Sequence, residues 1–168
     1  MQNKLTLAEA RRIIDRALEK GSEVGWISAY VVVDQGGNLI SLSRLDGAPS
    51  SAAWVAWAKA YLVAVTSENS MVFGNRMHAQ PEKFLAYKSI LKRDIFPGPG
   101  AVPIVRNGQV VGGFSSTMSD HNYLNTNDYT SSLHGIHFEL NGKMYSREDY
   151  VTAYALEIPY VDYHPHDR

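Results

Sequence analysis

A run of β-branched and aromatic residues that stops at a turn sequence and then resumes leaves a chain few options other than a hairpin. Trp26 to Val33 is such a run, Asp34-Gln35-Gly36-Gly37-Asn38 supplies the turn, and Leu39 to Leu45 resumes with alternating character. A second hairpin is expected from Val102 to Arg106, Asn107-Gly108 and Gln109 to Ser115, because Asn-Gly favours the type I′ geometry that matches strand twist. A third is expected from His137 to Leu140 and Lys143 to Ser146 around Asn141-Gly142.

Helices separate these hairpins. Thr6 followed by Glu9 forms a capping-box pattern, after which Leu7, Ala10, Ile13, Ile14, Ala17 and Leu18 recur at helical spacing as far as Gly21. Ser50 or Ser51 can cap a second helix that ends near Thr66, with Trp54, Val55, Ala58, Tyr61, Leu62 and Val65 on one face. The stretch Ser67 to Ile95 reads as helical with interruptions, Pro81 opening one segment, and Ser146-Arg147-Glu148-Asp149 opens a last short helix. Tyr160 to Arg168 is expected to be an extended arm.

Hairpins interleaved with helices predict an α/β (α+β) domain: an antiparallel sheet of about five strands with helices packed on it, plus a C-terminal extension. The chain has 168 residues, enough for one core that buries roughly two thirds of the unfolded surface. No repeat or linker divides it, so a single domain over 1–168 is expected, with a core of about 4–133 and an extension of about 134–168. Sixteen Lys and Arg balance seventeen Asp and Glu without a basic stripe, which argues against a nucleic-acid partner. No stretch reaches the ~20 apolar residues that span a bilayer, and Met1 to Leu7 lacks the order of a secretion signal, so a cytoplasmic location without a membrane partner is expected. The absence of cysteine removes disulfides, thiolate metal sites and a cysteine nucleophile.

The segments Ala29 to Ile40, Arg44-Leu45-Asp46-Gly47-Ala48, Lys59-Ala60 and Gly98 to Ile104, in this order, resemble the GlcG/HbpS-like family, also called the haem-degrading domain family. The resemblance covers roughly the first two thirds of the chain. It implies a profilin-like fold, symmetric homo-oligomers, and a pocket that in some relatives takes haem or a corrinoid. There are two departures: Gly112-Gly113-Phe114-Ser115-Ser116-Thr117-Met118-Ser119-Asp120-His121 stands where relatives carry a Gly-rich stretch, and the chain continues beyond the family's usual end. Both weigh against simple haem binding. Enzymes resembling this group release ammonia from hydroxylaminobenzoate, and the aromatic-rich extension suits such a ligand.

Candidate chemistry follows from residue type. His121, His134 and His137 are the candidate catalytic groups, since imidazole titrates near working pH and can protonate a departing hydroxyl. His134 and His137, with His121 or Asp120, have the spacing of a metal site, but histidines making ordinary hydrogen bonds are the favoured reading and no metal is expected. Arg44 and Lys59 are candidates for a ligand carboxylate, with an Arg44–Asp46 ion pair that stiffens the turn as the alternative for Arg44. Tyr61 and Tyr123 can stack on a flat ligand, whereas the tail tyrosines suit a subunit interface. Ser116, within the hydroxyl cluster Ser115-Ser116-Thr117, can position a ligand oxygen or satisfy strand-end amides. Trp54 and Trp57, near Lys59, add further rings for stacking or for an interface.

Two functions from different classes follow. The first is a cofactor-free lyase that converts a small aromatic carboxylate, best represented by 4-hydroxylaminobenzoate, to a dihydroxybenzoate and ammonia. The second is a non-catalytic haem or corrinoid binder with His or Tyr as axial ligand. A purely structural oligomeric adaptor is the third reading.

Overall fold

The computed structural model describes residues 4–23, 25–117, 138–140, 143–145 and 147–157. Helix α1 spans Leu7–Glu23 and starts at the expected capping box. The Thr6 N–H donates to Glu9 Oε2 at 2.8 Å and the Glu9 N–H donates to Thr6 Oγ1 at 3.2 Å, so two orphan donors of the first turn satisfy each other. Its buried stripe, Ala10, Ile14, Ala17 and Gly21, repeats at four, three and four residues and faces the sheet.

Strands β1 (Ala29–Asp34) and β2 (Leu39–Arg44) form the first hairpin, and β3 (Ala101–Arg106) and β4 (Gln109–Thr117) the second. Both turns behave as their residues require. Asp34 Oδ1 accepts the N–H groups of Gly36 and Asn38, while Asn107 and Gly108 both adopt positive φ, 51° and 72°. The four strands make one antiparallel sheet in the order β2-β1-β4-β3, with β1 and β4 at its centre. A short third hairpin, β5 (Phe138–Leu140) and β6 (Lys143–Tyr145), is a separate two-stranded sheet, so among the described residues the expected five-stranded sheet is instead four strands plus two.

Helix α2 (Ser51–Thr66) covers one face of the sheet. Ser50 occupies its N-cap position without a side-chain hydrogen bond, so the expected serine cap is not made, and the last turn closes through the Ser67 N–H on the Val63 carbonyl. Ala52, Ala56, Ala60 and Ala64, four residues apart, pack on Ala29, Val31 and Val33 of β1. On the other face Tyr30, Val32 and Phe114 meet Ala10, Ile14 and Ala17 of α1. Covered on both sides, β1 reads as an unbroken apolar run and not as an alternation, and each of its buried valines contributes about 1.5–3 kcal/mol of transfer free energy.

Helices α3 (Ser70–His78) and α4 (Pro81–Ile90) supply the interrupted helical stretch, with Pro81 at the start of α4. Helix α5 (Arg147–Leu156) brings Val151 and Ala155 into the α1-side core. Arg16 of α1 clamps its end, donating to the Tyr154 carbonyl and pairing with Glu157 at 2.5 Å. The segment expected to extend beyond the core is thus partly built into it. Tyr160 to Arg168 and Val24 lie outside the described residues, and among those described no helix is long and apolar enough to cross a membrane.

The sheet tolerates little change at Gly113, where an added Cβ would lie 2.4 Å from the Ala60 carbonyl oxygen of α2. Gly113→Ala is expected to cost about 3 kcal/mol by pushing α2 off β4, read as a fall in urea midpoint; an unchanged midpoint would show that the contact yields. Glu9 gives a pH signature. The Thr6 backbone N–H first, then the Thr6 hydroxyl and Arg106 at 2.7 Å, hold its carboxyl below the ordinary 4.5 against an opposing effect of burial. A lowered carboxyl stabilises the fold above its unfolded value and loses that effect as pH falls through its folded value. The stability gap between wild type and Glu9→Gln is therefore expected to be full at neutral pH and to close below pH 4.5; a gap that persists at ~pH 2 would contradict the linkage.

Candidate functional site

Because alanines hold one side of α2 against the sheet, Trp54, Trp57, Ala58 and Tyr61 fall on the opposite side at i, i+3, i+4 and i+7. They line a cleft of about 280 Å³ whose far wall is Arg93 and Asp94. The tether for that wall is α4: Phe84, Tyr87 and Leu91 pack on the Phe73–Met77 cluster, Tyr87 edge-on to Phe73 at 5.3 Å. Ile95 is then buried, and the two charged residues before it face outward beside α2.

The floor of the cleft is aromatic and fixed from below. Trp54 and Trp57 stack with ring centroids 6.3 Å apart and planes 18° apart, and Trp54 remains 69% exposed. The Trp57 indole N–H donates to the Gly37 carbonyl at 3.3 Å, which ties the ring to the β1–β2 turn. Tyr61 is buried against the same turn, where a Cβ on Gly37 would meet its ring at 2.1 Å. Gly37 also carries φ of 77°, so both space and backbone demand glycine there.

The cation at the rim is held differently from its counterparts. Arg16, Arg76 and Arg106 each pair with a glutamate, whereas the exposed Arg93 guanidinium lies 4.8 Å from the Trp57 ring centroid and has no carboxylate partner among the described residues. Its charge rests on the negative face of an indole. A flat anion entering the cleft would meet two rings and one guanidinium able to grip a carboxylate with a two-pronged hydrogen bond.

Of the residues expected from sequence, Tyr61, Trp54 and Trp57 line this cleft, whereas Arg44, Lys59 and Ser116 do not. Lys59 points along another flank of α2, is 4% exposed, and donates to the Pro99 carbonyl at 2.6 Å with Phe96 over it. Arg44 donates to the Ala48 carbonyl, stiffening the turn by a route other than the expected pair with Asp46. Ser116 is buried in β4, accepting the Trp26 indole N–H at 3.2 Å while its own N–H donates to Gly100. Its neighbour Thr117 is buried too, with its hydroxyl unpartnered among the described residues. His121, Tyr123, His134 and His137 lie outside the described residues, as does Asp120. Among those described, no group of three His, Asp or Glu is placed to hold a metal ion.

Sequence reasoning offered the Trp54 and Trp57 rings for stacking or for an interface but missed Arg93 and Asp94 as site residues beside them. The available signal was the four-residue alanine repeat, which marks the side of closest approach and leaves the tryptophans outside.

A three-layer α+β domain with an aromatic cleft on the outer helix is the class these features define. The chain belongs to the HbpS-like family: residues 5–119 match the family described as haem degrading protein HbpS-like. Protein GlcG of Escherichia coli K12 is 26% identical over 114 residues, 67% of this chain and 81% of that protein. Among solved structures, Klebsiella pneumoniae protein ORFY superposes with a TM-score of 0.65 at 19% identity, covering 94% of this chain and 92% of that one. A double mutant of Streptomyces reticuli HbpS gives 0.63 at 23% identity over 74% of this chain and 82% of its own. PduOC in complex with haem gives 0.67 at 14% identity over 92% and 94%. At these identities the structural likeness is one of fold.

Gly37→Ala tests how the cleft is held. It is expected to cost about 1–3 kcal/mol and to blue- or red-shift tryptophan emission as Tyr61 and Trp57 are displaced; unchanged emission would mean that the turn does not set the cleft.

Proposed function

We propose that this chain is a haem- or corrinoid-binding protein of the GlcG/HbpS type, taking a flat, carboxylated conjugated ligand on the outer face of α2. The stacked Trp54–Trp57 pair with the Arg93 guanidinium at its rim carries this reading. Family membership and the fold shared with PduOC, whose structure holds haem, support the ligand class. The fit is that of an open platform: about 280 Å³ falls just below the usual range of ligand sites, so a macrocycle would overhang the cleft. Arg93 would take a propionate and the indoles one ring face. When bound, haem supplies iron-centred redox and ligand chemistry. Tyr61 is the lining residue of a type that ligates haem iron, and His121, His134 and His137 are the proposed alternatives. Self-association into a homo-oligomer and a cytoplasmic location, both expected from sequence, belong to the same proposal.

The small volume favours a second reading. One aromatic ring with a carboxylate fits where a macrocycle overhangs, which suits the lyase that converts 4-hydroxylaminobenzoate and water to a dihydroxybenzoate and ammonia. In that reading Tyr61 flanks the ring, Arg93 takes the carboxylate, and His121, His134 or His137 moves the proton.

Titration with haemin, followed by 4-hydroxylaminobenzoate, separates the two. The expected result is a saturable haem band that weakens about tenfold or more in Trp54→Ala, since a stacked ring contributes about 0.5–1.5 kcal/mol in addition to the apolar area it buries. A haem spectrum identical to free haemin would overturn the binder, and ammonia release without a haem band would establish the lyase in its place.

A further inference from the structure

We infer that Arg93 makes the cleft selective for acids by occupying it when no acid is present. This rests on the cleft being an aromatic-ligand site. The guanidinium sits 4.8 Å from the Trp57 ring centroid, a stacking distance, so it covers part of the surface that an incoming ring would use. A neutral aromatic must displace that cation and offers nothing in exchange. An aromatic acid displaces it and re-engages it through a carboxylate, an interaction stronger than the cation–indole contact it replaces.

Three features of the site make Arg93 the residue that discriminates. Its side chain is exposed and carries no ion pair among the described residues, so swinging off the ring breaks no salt bridge. Trp57 cannot retreat instead, because its N–H is bound to the Gly37 carbonyl. Asp94 stands beside Arg93 on the same wall, repelling an anion bound anywhere but at the guanidinium and accepting from an N–H or O–H on the ligand. The ligand class is therefore a planar conjugated ring system with a carboxylate at one edge.

The test measures tryptophan quenching by two matched probes, 4-aminobenzoate and its neutral counterpart 4-aminobenzamide, on wild type, Arg93→Ala and Arg93→Lys. Wild type is expected to prefer the acid by about tenfold or more, the scale of a charge-assisted hydrogen bond. In Arg93→Ala the acid should weaken by about that factor while the amide holds or tightens, because Trp57 is uncovered. Arg93→Lys, which keeps charge but not the planar fork, should fall between. Equal affinity of wild type for both probes, or equal weakening of both by Arg93→Ala, would overturn the inference while leaving the cleft an aromatic site. Saturable quenching by neither probe would overturn both.

Discussion

The close approach of α2 to the sheet is the contact on which the rest of the molecule depends. Four alanines and the missing side chain of Gly113 let the helix backbone come down onto β1 and β4. A larger residue at any of these positions would lift the helix, and interiors packed to crystal density do not absorb such a shift. With its inner side fixed, the helix has one way to present its outer side. The tryptophan pair, the β1–β2 turn beneath it and the charged wall after α4 are all referred to that single placement.

The opposite face is built by another rule. There the sheet supplies the bulk, Tyr30 and Phe114, against Ala10, Ile14 and Ala17 of α1 and Val151 and Ala155 of α5, and the helices are tied to each other by Arg16. On the α2 side the contact is four alanines on Ala29, Val31 and Val33, with Gly113 against the Ala60 carbonyl, and there is no bulky side chain to yield. The face with the tight tolerance is the one that carries the cleft, as suits a site whose rings must be held in fixed geometry.

Local chemistry made much of this fold legible. The hairpins, the capping box, the Pro81 helix start and the order of elements follow from residues within a few positions of one another. Both sides of α2 are apolar, so periodicity alone does not say which faces the sheet; the four-residue alanine repeat was the sign. The β5–β6 hairpin was legible from Asn141-Gly142, but its separation from the main sheet was not, because which strands a hairpin joins is set by partners far away in sequence. The candidate site was less visible still. Arg93 and Asp94 reach α2 only through the packing of α4 on Phe73, and a lysine and an arginine that looked like ligand anchors, Lys59 and Arg44, hold loop carbonyls instead.

The union of the first and last helices bears on how the chain is made. Residues 16 and 157, joined by an ion pair, are separated by nearly the whole sequence, and α5 lies beyond the 5–119 span shared with the family. At ~5–20 residues per second, α1 leaves the ribosome on the order of 10 s before its partner is synthesised. During that interval Ile14 and Ala17 have only part of their cover. The first helix thus waits for the last with apolar surface showing.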